Sequence, residues 1–335
     1  MHRRRLLDCL AGAAVAGCGR RSRPPRKVRV AVIPRLTLSP VFLAEELGFF
    51  REAGLEAEFH QLPESVQALP LLADGELEVS FTGPSPGFIN AVLKGARMKI
   101  VANRDVAVPG CATAGVIYGY RGTFPQGLSN LRLLKGKRVA VNSPAGLPAF
   151  FLDQLLESAG MTIDQVELIS MRQPDAAVAL MAGKIDAVST STLDRDLSFI
   201  SANVVRSTTL AELMPNYQYS FVAFGPALLD GAPEIGVSFL EAYLRGVKEY
   251  RSGKDPRALE ELARATHADP AAMRAACRDS VSPTGMVDRA SVQRFADWAA
   301  KKRFIPRAVD ASQLINARFI EEALRRFSRR SGSKR

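Results

Sequence analysis

Four short stretches carry small hydrogen-bonding side chains directly ahead of helix-like segments. They are Arg35-Leu36-Thr37-Leu38-Ser39, Thr82-Gly83-Pro84-Ser85, Asn142-Ser143-Pro144-Ala145-Gly146 and Ser189-Thr190-Ser191-Thr192. A helix start offers unpaired backbone N–H groups and the positive end of a dipole, so donors gathered there suit a tetrahedral or planar oxyanion. Arg35 is the one cation in these stretches, and a guanidinium can pair an oxyanion through two N–H groups. Thr82 and Ser85 flank Gly83, where a missing side chain lets backbone approach a ligand closely. Asn103, Tyr217 and Tyr219 follow or open other apolar runs; each reads either as wall of a binding site or as an ordinary cap or packed aromatic. The whole set has a plain alternative, because Ser, Thr and Asn before a helix are N-caps contributing about 1 kcal/mol each.

Covalent and metal chemistry have less footing. Beyond residue 27 the histidines are His60 and His267 and the cysteines Cys111 and Cys277. No CxxC, HExxH, GxGxxG or P-loop pattern is present. No catalytic residue, metal site or cofactor is therefore expected. Cys111 and Cys277 can pair in an oxidising compartment, but two isolated buried thiols are the simpler reading.

The elements that must hold the four stretches alternate between strand and helix. Apolar or alternating runs predict strands over Val28–Ile33, Leu55–His60, Glu78–Phe81 and Met98–Ala102, with helices over Pro40–Ala53, Val66–Ala73 and Pro86–Lys94 between them. A near-repeat follows: strand Arg138–Val141, helix Leu147–Ser158, strand Val166–Ser170, helix Ala176–Ala182 and strand Ala187–Ser189. Strands separated by helical segments imply parallel sheets with right-handed crossovers, with sites beyond the carboxyl ends of the strands. Gly115–Tyr120 and Tyr219–Gly225 are extended apolar segments that read as two crossings between lobes. The rest is helical: Glu234–Arg251, Pro256–Ala265, Pro270–Asp279, Arg289–Lys302 and Ala311–Arg326.

Charge is concentrated at the two ends. The 335 residues carry a formal net charge of +11. Residues 1–27 hold +7 of it and residues 325–335 hold +6, leaving −2 for the body. A basic body is what nucleic-acid binding would need, so that function class is not supported. The basic start runs Arg3–Arg5, a short apolar stretch over Leu10–Gly17, then Cys18. That order reads as a secretory signal, and the apolar stretch is far short of the roughly 20 residues of a membrane-spanning helix. Val15-Ala16-Gly17-Cys18 resembles a lipobox, which makes Cys18 the expected site of lipid attachment, with 1–17 as signal and 18–27 as tether.

Several motifs in order along the chain resemble the substrate-binding proteins of bacterial ABC importers in the taurine, aliphatic sulfonate and nitrate group, which includes binders of thiamine precursors. They are Ala44-Glu45-Glu46-Leu47-Gly48-Phe49-Phe50 with Ala53-Gly54-Leu55, and Leu72-Ala73-Asp74-Gly75-Glu76-Leu77-Glu78-Val79 with Gly83-Pro84-Ser85-Pro86. Further on stand Leu134-Lys135-Gly136-Lys137-Arg138-Val139-Ala140-Val141 and Ala182-Gly183-Lys184-Ile185-Asp186-Ala187. Glu78 stands where the family often has Asp, and is expected to face outward at a strand start.

The resemblance implies an α/β periplasmic-binding-protein fold of type II: two lobes of mixed, mostly parallel sheet, hinged on two crossover strands. Lobe 1 would comprise 28–119 and 217–325, lobe 2 would comprise 120–216, and 326–335 would form a basic tail. It implies a non-enzymatic, monomeric protein of the periplasm or cell envelope. Its partners would be a small solute, the permease subunits of an ABC importer and a membrane reached through the lipid anchor, with no nucleic acid. The expected ligand contacts are Arg35, Thr37, Ser39, Thr82, Gly83, Ser85, Asn103, Asn142, Ser143, Thr190, Ser191 and Tyr219. The expected solute is a sulfonate, taurine or nitrate type of oxyanion. A thiamine-precursor pyrimidine is the alternative, and a pyrimidine-synthase-like enzyme on the same fold is the alternative of another class.

Overall fold

A computed structural model describes residues 24–33, 38–62, 65–111, 115–190, 203–253 and 277–332. The chain builds two five-stranded sheets, each flanked by helices. The first sheet takes β1 (Arg26–Val32), β2 (Leu55–Gln61), β3 (Val79–Thr82), β4 (Lys99–Val106) and β10 (Gln218–Phe224), in the order β2-β1-β3-β10-β4. The second takes β5 (Val116–Tyr120), β6 (Arg138–Val141), β7 (Glu167–Ser170), β8 (Ala187–Thr190) and β9 (Val204–Arg206), in the order β7-β6-β8-β5-β9. In both sheets three parallel strands are followed by one antiparallel strand, β10 or β5, and then an outer strand. The two extended segments expected as crossings are these antiparallel strands; the links between sheets precede them, at 107–115 and 207–217.

The helices are α1 (Ser39–Glu46), α2 (Phe49–Glu52), α3 (Ala68–Ala73), α4 (Pro86–Leu93), α5 (Leu147–Ser158), α6 (Gln173–Met181), α7 (Leu210–Leu213), α8 (Pro233–Ser252), α9 (Arg289–Lys301) and α10 (Arg318–Gly332). The single helix expected over Pro40–Ala53 is two, because Gly48 sits in the left-handed region at φ 71° and ends α1. The helix expected from Ala311 starts later, after a short turn over Ala311–Gln313, and α10 continues through Gly332 into the segment read as a basic tail. The helix expected over Pro256–Ala265, and most of the one over Pro270–Asp279, lie outside the described residues. So do the expected signal, Cys18 and most of the tether.

The near-repeat in sequence is a repeat in bonding. Directly ahead of β3, Glu78 accepts from the backbone N of Arg29 at 2.7 Å and from its Nε and Nη2 at 3.0 and 2.9 Å. Directly ahead of β8, Asp186 accepts from the backbone N of Arg138 at 2.9 Å and its Nε at 3.1 Å. In each lobe an acid thus pins the first parallel strand to the third, in a charge-assisted fork. The expectation that Glu78 faces outward fails for this reason: it is 2% exposed, turned in to meet Arg29.

The two lobes share one continuous apolar core at their base. Phe150 of α5 packs edge-on against Phe295 and Trp298 of α9, with ring centroids 5.5 and 5.4 Å apart, and Phe151 meets Tyr219 of β10 at 6.0 Å. Inside this contact the fully buried Asp153 accepts from Trp298 Nε1 at 2.8 Å and pairs with Lys302 Nζ at 2.9 Å. Cys111, in the first link, and Cys277 form a disulfide with Cα atoms 5.7 Å apart. The reading as isolated thiols is corrected, because a separation of 166 residues hid their proximity.

Candidate functional site

Between the lobes lies a cleft of about 510 Å³. From the first lobe it is walled by Ile33 after β1, Leu38 at the start of α1, Phe81 and Thr82 of β3, the Gly83–Gly87 turn into α4, Arg104 of β4, and Tyr219 and Ser220 of β10. From the second come Asn142 and Ser143, the Ala145–Pro148 entry to α5, and Arg172 and Gln173 at the start of α6. Three helices therefore begin at one cavity, as expected for sites beyond the carboxyl ends of parallel strands. Ser85 caps α4 by accepting from the N–H of Phe88 at 3.2 Å. No side chain caps α5 or α6. Their first N–H groups have no partner within the helix, which leaves them for a ligand oxygen.

Gly83 does admit a close neighbour, but from the opposite lobe. A Cβ there would lie 2.5 Å from Leu147 Cδ1 and 3.3 Å from the carbonyl oxygen of Tyr219. Its missing side chain lets the α4 turn and the start of α5 meet across the cleft.

Arg35, Thr37 and Ser191 lie outside the described residues. Among the described residues Arg104 and Arg172 are the cations that line the cavity, and no carboxylate lines it. Arg104 is 8% exposed, and its Nε and Nη2 both reach Asp105 Oδ2 at 2.8 Å. Asp105 is fully buried; burial pushes its carboxyl above the ordinary aspartate value, against the opposing pull of Arg104 and the Ser220 hydroxyl. Arg172 sits on the rim, paired with Asp175 at 2.9 Å. The ladder between β10 and β4 shifts register around Ser220, the kind of irregularity that re-aims side chains beside a site.

Of the remaining expected contacts, Thr82, Gly83, Ser85, Asn142, Ser143 and Tyr219 come together on the cavity. Ser39 is buried at the start of α1, where its hydroxyl bonds Tyr250. Thr190 is buried in β8 and accepts from Gln173 Nε2 at 2.9 Å, one step behind the wall. Asn103 is wholly buried in β4, with neither side-chain polar atom hydrogen-bonded. Tyr217 points into the base, where its OH donates to the Ser291 carbonyl at 3.1 Å. Sequence reasoning missed Arg104, Arg172 and Gln173. A signal existed for the last two: Pro174 marks an early helix position, placing the start of α6 ahead of Ala176.

Two α/β lobes of matching strand order, facing each other over a cleft entered by helix N-termini, define a periplasmic-binding-protein fold of type II. The chain belongs to the NMT1/THI5-like family, whose model matches residues 36–256. The architecture is similar to the alkanesulfonate-binding protein SsuA from Xanthomonas axonopodis pv. citri bound to MOPS, at a TM-score of 0.70 and 16% identity, covering 88% of this chain and 99% of that one. It is also similar to the periplasmic aliphatic sulphonate binding protein SsuA from Escherichia coli, at 0.69 and 20% identity, covering 87% and 92%. In sequence the chain is 24% identical over 236 residues to the nitrate import ATP-binding protein NrtC of Synechococcus elongatus, covering 66% of this chain. It spans about a third of that relative's length, 34%.

Proposed function

We propose that this protein is the solute-binding component of an ABC importer. It captures a small oxyanion of the sulfonate, taurine or nitrate type between its lobes and delivers it to a membrane permease. The observation that carries this reading is the convergence of the α4, α5 and α6 starts on one cavity that holds two arginines and, among the described residues, no carboxylate. Oriented N–H groups and guanidinium donors match an oxyanion, and contacts from both lobes favour the closed form once it is bound. Location in the periplasm or cell envelope, tethered through Cys18, accords with the Cys111–Cys277 disulfide, since such bonds persist in oxidising compartments.

A thermal-shift panel tests the reading. Ethanesulfonate, taurine or nitrate raises the melting temperature, and the solute is recovered unchanged after denaturation. At a hundred times the dissociation constant the gain is about 2.7 kcal/mol, readily seen. Stabilisation by an uncharged pyrimidine alone would transfer the assignment to the thiamine-precursor binders. Conversion of the solute would transfer it to an enzyme.

A further inference from the structure

The charges around the cleft are matched in pairs. The Arg104 guanidinium lies over Asp105, with Nε and Nη2 both committed to Oδ2. The Nη1 group has no partner among the described residues, and Arg104 lines the cavity. Ser220 of β10 faces Asp105 across the ladder and lines the same wall. From the other side, Tyr243 and Tyr250 of α8 feel the Asp105 charge, and burial raises both phenols, Tyr250 to about 12, so neither ionises near neutrality. The second cation, Arg172, is likewise matched by Asp175. Among the described residues, what remains to balance a ligand charge is the open side of one neutralised guanidinium and the helix starts, each equivalent to about half a positive charge.

We propose that Arg104 reads the charge of the solute, and that Asp105 beneath it sets the cleft for one negative charge, so that monoanions are taken and dianions refused. This rests on the oxyanion reading above and narrows it. A second negative charge would be drawn out of water with, among the described residues, no unmatched cation to meet it, and a buried charge without a partner is strongly disfavoured. A single charge meets the N–H groups of α5 and α6 together with Arg104 Nη1. A zwitterion such as an aminosulfonate, with its one anionic end on these donors, is accepted on the same terms.

Calorimetric titration with two ligands of one shape tests this. Ethanesulfonate stays a monoanion, whereas ethylphosphonate is a monoanion near pH 6 and a dianion near pH 9. Ethanesulfonate affinity should change by less than about threefold between the two, while ethylphosphonate should weaken by about tenfold or more, the equivalent of one pKa unit. In Asp105→Asn the guanidinium is left uncompensated, and ethylphosphonate near pH 9 should recover about tenfold relative to ethanesulfonate. Equal affinity of the wild-type protein for both ligands at both values would overturn the charge selection while leaving the oxyanion site standing, and needs no variant to fold. Failure of both ligands to bind at either value would overturn the oxyanion reading and this proposal with it.

Discussion

Removing the Asp153 carboxylate should loosen the base on which the cleft is built. Asp153 is on α5, whose first residues wall the cavity, and it holds that helix to α9 through Trp298 and Lys302. In Asp153→Ala the Trp298 N–H, on a side chain only 5% exposed, loses its acceptor. A buried donor left unpaired costs about 1–3 kcal/mol. The Lys302 ammonium loses its countercharge, but its side chain is 21% exposed, so water recovers part of that loss. The weaker bond from the Ile163 N–H at 3.3 Å goes as well. Together these reach the lower end of the range for breaking a buried pair, about 3 kcal/mol. At about 2–4 °C per kcal/mol for a domain of 150–250 residues, the melting temperature should fall by about 6–12 °C. Asp153→Asn keeps an oxygen for Trp298 and should fall by about half as much. Calorimetry of Asp153→Ala, Lys302→Met and the double variant, read as a double-mutant cycle, gives the coupling directly. A fall below about 2 °C in Asp153→Ala, or equal falls in the Ala and Asn variants, would refute the assignment of this contact as the clamp between lobes.

Three further outcomes follow from the geometry. Gly83→Val forces the Leu147 side chain away from the α4 turn and crowds the Tyr219 carbonyl oxygen; ethanesulfonate affinity should drop by about tenfold or more, with a stability loss of about 1–3 kcal/mol from the overpacking. Burial alone would raise the Asp186 carboxyl, but hydrogen bonds from Arg138 and Thr123 overcome it and hold it below the ordinary value. Its stabilisation is therefore complete above the unfolded value of about 3.9 and lost as pH falls through the folded one, so Asp186→Asn should be less stable at neutral pH and show a shallower acid decline in a pH series of melting temperatures. Reduction of Cys111–Cys277 should lower stability by about 2–5 kcal/mol, measured by unfolding with and without reductant; no difference, with the bond verified by mass spectrometry, would show that it constrains nothing.

The parts of the fold legible in sequence were those set by apolar runs with firm stops. Arg138–Val141 and Leu147–Ser158 have the expected ends, because a continuous buried strand and a Pro-led helix leave little freedom. The order of motifs likewise anticipated the type II fold. The misses share a cause, which is polarity that only pairing explains. The fourth strand is expected to end at Ala102, directly ahead of the polar Asn103-Arg104-Asp105. In the folded chain the ladder with β10 runs to Val106, and the two charges neutralise each other inside it. Glu78 reads as surface until Arg29, 49 residues earlier, is seen beside it. At the site, the hydroxyl-rich turns at 82–85 and 142–143 were visible as residue types ahead of helices. Arg104 on the cleft wall was not, because a strand-buried arginine has no local spacing to announce it.

The most direct test of the central claim is a crystal structure of the protein with ethanesulfonate. The account predicts one molecule between the lobes, its sulfonate oxygens within hydrogen-bond distance of the first N–H groups of α5 and of the Arg104 guanidinium. A sulfonate seated outside this cleft, or within it but away from both Arg104 and the helix starts, would contradict it.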